Sequence, residues 1–346
     1  MHADIMKKAE INVHERAILS PPLPACYNSR IMSRLRVGVI GCGVLGSRHA
    51  EIYRQLPDVD VVAVVDPLEA KAETLARALG TRAFSRVQDC IGMLDAASVC
   101  TPAVSHHEVA RPLIEAGVHL LVEKPITSRL EDADDLIALA AVRKTILQTG
   151  HIERFNGAVS TVKRMIHNPV FIECDRIGPY DPRISDVGVV LDLMIHDIDI
   201  VLDLVQSPVR SVEAVGMNLF SLREDFAHSR ILFENGTVAN LTASRMAQKR
   251  LRKIRIFDTD QYFSLDYFQQ ELLTLTRKRV AEGQTAYEPV PVVKSQPLDE
   301  EVKSFVSTVR GSGTRGVSGA DGRAALAVAL QILDQINSKK VEKISA

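Results

Sequence analysis

One apolar segment carries several side chains that can exchange protons or bind ligands. It reads VVLDLMIHDIDIVLDLV, residues 189–205. On a helix, four of its polar residues fall at i, i+4, i+7 and i+11 and form one narrow stripe: Asp192, His196, Asp199 and Asp203. Only Asp197 lies off the stripe. A solvated helix face is the ordinary explanation of such a stripe, but aspartate is a poor helix former and histidine is uncommon on such faces. Whether the stripe faces water or a ligand depends on the rest of the chain.

A second candidate site is a glycine-rich turn close to the start of the regular pattern. LRVGVI, residues 35–40, predicts a strand, GCGVLG follows directly, and SRHAEIYRQL predicts a helix. Strand, turn and helix in this order give the G-x-G-x-x-G spacing its meaning as a dinucleotide site. Its glycines allow a tight turn, close approach of a pyrophosphate, and packing of helix on strand. The predicted contacts in the turn are Gly41, Gly43, Val44, Leu45 and Gly46.

An acidic residue completes the dinucleotide pattern. The next predicted strand, VDVVAVV, ends at Asp66, which follows Gly46 by 20 residues. A carboxylate at this position accepts hydrogen bonds from the ribose hydroxyls of adenosine and repels a 2′-phosphate. The sequence therefore predicts NAD as the cofactor, in preference to NADP.

The elements that must position these residues alternate between strand and helix as far as Gly150. Such alternation predicts a doubly wound parallel sheet, which binds its ligands at the carboxyl ends of its strands. Two further strand ends carry unusual residues, CTPAVSH (residues 100–106) and VEKP (residues 122–125). They belong to the same predicted edge of the sheet.

Composition excludes several classes of function. With 346 residues, 46% hydrophobic and 25% charged, the chain is long enough for two globular domains. A net charge of -1 gives no reason to expect nucleic acid or an acidic membrane as a partner, and no apolar run is long enough to cross a bilayer. The five cysteines lack CxxC spacing, which indicates reduced thiols in a cytoplasm and no metal site. Residues 1–32 lack periodicity and are predicted to be a flexible extension.

The motifs CTPAVSH and VEKP, together with Asp192-x-x-x-His196, resemble the signatures of the Gfo/Idh/MocA oxidoreductases. The resemblance implies a Rossmann domain at residues 33–150. It also implies an α+β domain at residues 151–346, built around an open, mainly antiparallel sheet, with a C-terminal helix that packs back on the first domain. Strand-like runs and an Asn235-Gly236 hairpin signal in the second half agree with this fold. The family also implies a homodimer or homotetramer.

The resemblance assigns roles to the candidate residues. His196 is the expected base for an alcohol proton, because histidine titrates near neutrality. Asp192 lies one helical turn before His196 and is therefore expected to orient it. Lys124 is expected to polarise the substrate oxygen, with a cis peptide bond before Pro125. Beyond the glycine turn and Asp66, the implied cofactor contacts are Thr101, Pro102, His106, Glu123 and Lys124.

Within the family, GHIERFNGAV and the segment around His196 are most similar to the branch that oxidises the C3 hydroxyl of UDP-N-acetylglucosamine to a ketone. A partner aminotransferase then installs an amine for lipid A or related glycans. Arg154, Arg176 and Arg183 are candidates to bind the diphosphate, and His151 and Phe155 to line the site. The basic run at residues 248–255 is interpreted as a solvated strand or an oligomer edge.

Three alternatives stay open. One is a dehydrogenase of another polyol or nucleotide sugar, such as inositol or the uronic acid of UDP-N-acetylglucosamine. Another is a non-catalytic sensor of NAD or sugar, since folds are recruited for binding alone. The presence of both Lys124 and His196 counts against a sensor. The third is a structural partner of another enzyme, for which the sequence offers no positive sign.

Overall fold

A six-stranded parallel sheet forms the first half of the protein. The computed structural model describes residues 34–181, 187–313 and 316–338, and the chain from Leu35 onward clusters as one compact unit. The strands run in the order β3-β2-β1-β4-β5-β6, the doubly wound arrangement that leaves a crevice between β1 and β4. Their bounds are β1 Leu35–Ile40, β2 Val59–Val65, β3 Arg82–Phe84, β4 Ala96–Val99, β5 His119–Glu123 and β6 Leu147–Gly150.

Helices cover both faces of this sheet, because its strands are apolar on both sides. The bounds are α1 Val44–Gln55, α2 Glu69–Leu79, α3 His106–Glu115 and α4 Leu130–Arg143. Helices α3 and α4 bury Leu113 and Leu136 on one face, whereas α1 and α2 bury Tyr53 and Leu75 on the other. The predicted Rossmann architecture is confirmed.

An eight-stranded sheet forms the second half, in the order β14-β13-β12-β11-β7-β10-β9-β8. Neighbouring strands are antiparallel except β10 and β7, which are parallel. The predicted open, mainly antiparallel sheet is therefore confirmed, and Gly236 makes the expected hairpin turn with a φ of 88°. Its strands are β7 Pro169–Ile177, β8 Val209–Met217, β9 Phe226–Phe233, β10 Val238–Ser244, β11 Leu251–Asp258, β12 Gln261–Asp266, β13 Glu271–Thr276 and β14 Glu288–Val290.

Helices join the two sheets. One face of the larger sheet packs against α5 Gly157–Met165, α6 Ile195–Val205 and α9 Gly319–Ser338, while α7 Arg277–Ala281 is a short helix after β13. Helix α8, Pro297–Val309, packs Phe305 into the Rossmann core beside α1. Helix α9 contributes Leu326 to the Rossmann core and Ile332 to the second core. The returning element is thus a pair of helices, and the domain boundary near Gly150 stays a prediction.

Three further sequence-based expectations concern the N-terminal extension, the cysteines and membrane-spanning helices. The proposed extension at residues 1–32 lies outside the described residues. Cys42, Cys90, Cys100 and Cys174 are free thiols. In the described ranges, no helix combines the length and apolar character needed to cross a bilayer.

Candidate functional site

The carboxyl ends of five parallel strands meet at one edge of the first sheet. These ends carry the glycine turn after β1, Asp66 after β2, Thr101 after β4, Lys124 after β5 and His151 after β6. The start of α6 with its preceding turn brings Asp192 to the same edge, where its carboxylate meets Lys124. Sequence motifs far apart in the chain therefore converge, as the topology requires.

The glycine turn has the shape of a dinucleotide cradle. Gly41 has a φ of 98°, and a Cβ on it would lie 2.6 Å from the carbonyl oxygen of Cys100. A Cβ on Gly46 would lie 1.8 Å from the Gly41 carbonyl oxygen, so helix and turn pack too closely for any side chain. A Cβ on Gly43 would meet no atom within 4 Å, so the space in front of the turn is open. Gly43 is also the N-cap of α1, and because no side chain caps the first N–H groups of this helix, they are accessible to phosphate. Val44 and Leu45 are exposed beside it.

The Asp66 carboxylate is fixed beside this turn. Its Oδ2 accepts a hydrogen bond of 2.9 Å from the Cys42 N–H, and its Oδ1 accepts one of 2.9 Å from the Leu68 N–H. An acid held rigidly at the end of β2 fits a ribose diol and opposes a 2′-phosphate. The Thr101 hydroxyl adds a buried oxygen that has no partner among the described residues, at the crevice where the cofactor binds. These residues fit NAD.

Asp66→Ser should reduce the difference in affinity between NAD and NADP. We expect wild-type protein to bind NAD at least about tenfold more tightly than NADP, because the fixed carboxylate repels the 2′-phosphate. The serine removes that charge, so NADP affinity should rise while NAD affinity falls. Calorimetric titration of both cofactors measures the gap, and equal wild-type affinities would contradict this role for Asp66.

Three of the predicted cofactor residues, Pro102, His106 and Glu123, lie at or after the carboxyl ends of β4 and β5. The ring nitrogens of His106 lie 2.8 Å from the Thr101 carbonyl oxygen and 2.9 Å from the Pro125 carbonyl oxygen, and its side chain is fully buried. His106 therefore ties two strand ends together and does not present a nitrogen to the cofactor, a correction to the sequence-based role. Burial lowers its pKa. Pro102 caps the short turn that leads into α3. Glu123 accepts from His49 Nε2 at 3.1 Å and from the Lys124 N–H at 3.2 Å.

Lys124 and Asp192 form the central contact of the site. The Lys124 Nζ donates to the Asp192 carbonyl oxygen at 2.6 Å and to its Oδ1 at 3.3 Å. The Lys124-Pro125 bond is cis, as predicted. Sequence spacing predicted that Asp192 orients His196, and this is corrected: the carboxylate is engaged by Lys124. Residues Val190–Met194 form a turn of π-helix before α6, so the regular i, i+4 register does not hold there.

His196 lies next to this pair and is half-buried. Its Nδ1 is buried and has no partner among the described residues. Burial lowers the pKa of His196 well below its usual value, and the neighbouring Lys124 cation lowers it further. The His151 ring packs edge-on at 6.4 Å between centroids, and burial lowers its pKa as well. Both imidazoles are therefore neutral at neutral pH, which is the state a proton acceptor needs.

The other acids of the 189–205 segment, on and off the stripe, do not form a solvated face. Asp199 accepts two hydrogen bonds, 2.7 and 2.6 Å, from Arg154, which also donates to Asp203 at 2.7 Å. Asp197 is buried and accepts two bonds from Arg176, which also donates to Glu153 at 2.9 Å. The acids of this apolar segment bind Arg154, Arg176 and two lysines, Lys124 and Lys163.

These pairings change the sequence-based assignment of the arginines. Arg154 and Arg176 were predicted to bind the substrate diphosphate, but their guanidinium groups donate hydrogen bonds to carboxylates of the protein. Arg176 is 1% exposed, so it acts as a structural tie between β7 and α6. Arg183 lies outside the described residues. Phe155 ends the short helical turn after β6, and its carbonyl oxygen accepts from the Ser295 hydroxyl at 2.6 Å.

Two features of this edge were not found from the sequence. Arg250 and Arg252 line a cleft with Asp192, although their segment was interpreted as a solvated strand. Their spacing of two residues around the start of β11 was the available signal. The second feature is Glu301 on α8, whose two carboxylate oxygens are buried without a partner among the described residues. No sequence signal distinguished Glu301 from the other acids of its helix.

Glu301→Gln should stabilise the protein at alkaline pH. Burial raises the pKa of Glu301 well above its usual value, and the nearby charges of Glu123 and Asp199 raise it further. A raised native pKa gives stability that is full below the unfolded value and is lost as pH rises through the native one. The amide cannot ionise, so we expect a melting temperature higher by about 2–5 °C at pH 8, with no gain at pH 5. Thermal melts at both pH values measure this, and an equal effect at both would contradict it.

Comparison with protein families identifies both halves of the chain. Residues 35–151 match the Gfo/Idh/MocA oxidoreductase family, NAD-binding Rossmann fold, and residues 156–263 match the Gfo/Idh/MocA C-terminal domain. The chain belongs to the Gfo/Idh/MocA oxidoreductase family. It is an oxidoreductase with NAD as its cofactor, in agreement with the shape of the glycine turn.

Individual relatives agree with this assignment. The chain is 35% identical to UDP-N-acetylglucosamine 3-dehydrogenase of Acidithiobacillus ferrooxidans, over 87% of this chain and 97% of the relative. It is 26% identical to myo-inositol 2-dehydrogenase of Thermotoga maritima, over 90% and 99%. The solved structure of the Acidithiobacillus ferrooxidans enzyme superimposes with a TM-score of 0.83, covering 89% of this chain and 99% of that one. A levoglucosan dehydrogenase complex with NADH shares the fold, with a TM-score of 0.79 at 19% identity.

Proposed function

We propose that this protein is an NAD-dependent dehydrogenase that oxidises the C3 hydroxyl of UDP-N-acetylglucosamine to a ketone. The observation that carries the proposal is the Lys124 ammonium fixed by Asp192 beside a neutral His196, at the sheet edge that binds the cofactor. The 35% identity to a dehydrogenase of that name supports the choice of substrate.

The reaction divides between the residues of this edge. NAD, when bound, supplies the acceptor for the hydride that leaves the carbinol carbon. His196 accepts the hydroxyl proton, for which its neutral imidazole is suited. Lys124 donates a hydrogen bond to the reacting oxygen and stabilises the negative charge that develops there. Asp192 holds the Lys124 side chain in place for this contact, so Asp192 is a positioning residue for the lysine.

The surroundings of His196 keep its imidazole unprotonated. Burial is the largest reason that the pKa of His196 is lowered, and the Lys124 charge adds to it. The same ammonium that stabilises the alkoxide therefore also prevents the imidazole from being protonated before substrate arrives.

Two other functions remain as alternatives. The 26% identity to a myo-inositol dehydrogenase favours a polyol dehydrogenase. However, an uncharged polyol has no anionic group for the arginines of the adjacent cleft to bind. A non-catalytic NAD or sugar sensor would have no need of the Lys124–Asp192 contact.

A panel of substrates tests the proposal. Purified protein would be incubated with NAD and, separately, UDP-N-acetylglucosamine, its uronic acid and myo-inositol, with hydroxylamine present to trap a ketone because its formation is uphill. We expect an oxime only from UDP-N-acetylglucosamine, identified by mass. Turnover of myo-inositol alone would replace the proposed substrate, and turnover of none would favour the sensor.

The wider setting is also a proposal. An aminotransferase that consumes the 3-keto sugar is the expected partner, with lipid A or a related glycan as the destination, in a cytoplasmic location. A homodimer or homotetramer is supported by an aromatic row on strands β7, β11 and β12 and the loop before β14, in which Phe171, Phe257, Tyr262 and Tyr287 are in contact. Light scattering in solution would measure the subunit number.

A further inference from the structure

A basic cleft opens beside Asp192 on the second sheet. Its walls are the end of β7 with the residues that follow, the start of β11, and the π-helical turn. The charged side chains that line it are Arg176, Asp181, Asp192, Arg245, Arg250 and Arg252. Asp192 also contacts Lys124, so the cleft adjoins the reacting centre.

The positive charge of this cleft is not evenly compensated. Arg176 is neutralised by Asp197 and Glu153, and Arg245 lies 3.2 Å from Asp225. Within the part of the chain that the structure describes, the ion pair of Arg252 is a 3.9 Å contact to Glu153, which already accepts from Arg176 at 2.9 Å. An excess of positive charge therefore lies on the β11 side of the cleft.

Arg252 is held in an unfavourable electrostatic position. In the antiparallel pairing of β11 with β7 it lies directly opposite Arg176, and like charges opposite each other are destabilising. Burial lowers the pKa of Arg252, and the charges of Arg176 and Arg250 lower it further. Its guanidinium lies 4.6 Å from the centre of the Phe268 ring, which fixes its position. A bound anion would relieve this repulsion.

Arg250 completes the arrangement. It is exposed, two residues before Arg252, and its side chain passes over Gly178, where a Cβ would lie 3.7 Å from the arginine Cγ. Two guanidinium groups on one wall of a cleft suit the paired phosphates of a diphosphate, since each can make charge-assisted hydrogen bonds.

The geometry points to Arg250 and Arg252 as the subsite that binds the diphosphate of a nucleotide-sugar substrate, with the sugar ring directed towards Lys124 and His196. The assignment rests on the proposed function, because the pyrophosphate of NAD belongs at the glycine turn and a nucleotide sugar is the substrate that would bring a second diphosphate to this edge. This assignment replaces the sequence-based one to Arg154 and Arg176, because those guanidinium groups already donate to Asp199 and Asp197. These arginines thereby select nucleotide sugars over free sugars and polyols.

Calorimetry with UDP and with inorganic diphosphate tests the subsite on intact protein. The variants are Arg250→Gln, Arg252→Gln and the double change, and the matched control is Lys249→Gln, which removes the same charge beside the cleft without lining it. We expect each arginine variant to bind UDP about tenfold or more weakly, and the control to bind as wild type. The KM for UDP-N-acetylglucosamine should rise by a similar factor, with a smaller fall in kcat. Arg250 is exposed, so its variant keeps the test valid if Arg252→Gln does not fold.

The outcomes separate this subsite from the proposed reaction. If UDP affinity falls no more in the arginine variants than in Lys249→Gln, the subsite is wrong, while wild-type turnover of UDP-N-acetylglucosamine would leave the reaction standing. If wild type does not oxidise that substrate but binds diphosphate through both arginines, the reaction is wrong and the anion subsite holds. Wild type that binds neither UDP nor diphosphate overturns the subsite.

Discussion

We expect His196→Asn to bind NAD as the wild type does and to turn over roughly 10²–10⁴ times more slowly, the usual contribution of a positioned proton acceptor. Asparagine fills a similar volume and forms hydrogen bonds, so the half-buried position beside His151 should tolerate it. Steady-state kcat with UDP-N-acetylglucosamine, with NAD affinity from fluorescence titration, measures both parts.

The pH profile gives the His196 variant a second readout. Because the pKa of His196 is lowered well below 6.5, its imidazole loses its proton on the acid side of neutrality. Wild-type kcat should therefore rise with pH below about 6.5 and be level through neutrality, and the rise should be absent in the variant. A folded His196→Asn protein with wild-type turnover would show that His196 is not the base.

Lys124→Met should lower kcat by roughly 10²–10³, as expected when one donor that stabilises the developing charge is removed. Methionine keeps the length of the side chain but cannot donate to the reacting oxygen or to Asp192. NAD affinity should stay nearly unchanged. Asp192→Asn should cost less, because the Asp192 carbonyl oxygen still accepts from the lysine at 2.6 Å.

The matched control for this variant is Lys303→Met on α8, a half-exposed lysine paired with Glu300 on the helix surface. It should have wild-type kcat. The double variant of Lys124 and His196 should be little slower than the slower single one, because residues that act on one transition state are not additive. Multiplicative losses would mean that the two residues act in separate steps.

The sequence predicted the Rossmann half and its cofactor well for a physical reason. A glycine turn, the strand before it and the acid at Asp66 are close in sequence, and each is required by local geometry, as the close contact of Gly46 with Gly41 shows. These motifs can therefore be interpreted without knowing how residues distant in sequence pack together. The proposed catalytic residues Lys124 and His196 could be brought together only by the family resemblance, since no local rule places the end of β5 beside α6.

The partners of the buried charges could not be predicted from the sequence. Regular helical spacing paired Asp192 with His196, but the π-helical turn at Val190–Met194 changes the register and Lys124 takes the carboxylate. Similarly, the run containing Arg250 and Arg252 has the composition of a solvated strand. Only the pairing of β11 with β7 shows that Arg252 faces Arg176 inside a cleft.

Transfer of deuterium tests the central claim most directly, namely that this site removes hydride from the sugar C3. Wild-type protein would be given NAD and UDP-N-acetylglucosamine labelled with deuterium at C3, and the reduced cofactor would be analysed by mass spectrometry. The account predicts NADH that carries one deuterium, formed more slowly than from unlabelled sugar if hydride transfer limits the rate, and almost none from Lys124→Met or His196→Asn. NADH formed without deuterium would contradict it, because the hydride would then come from another carbon.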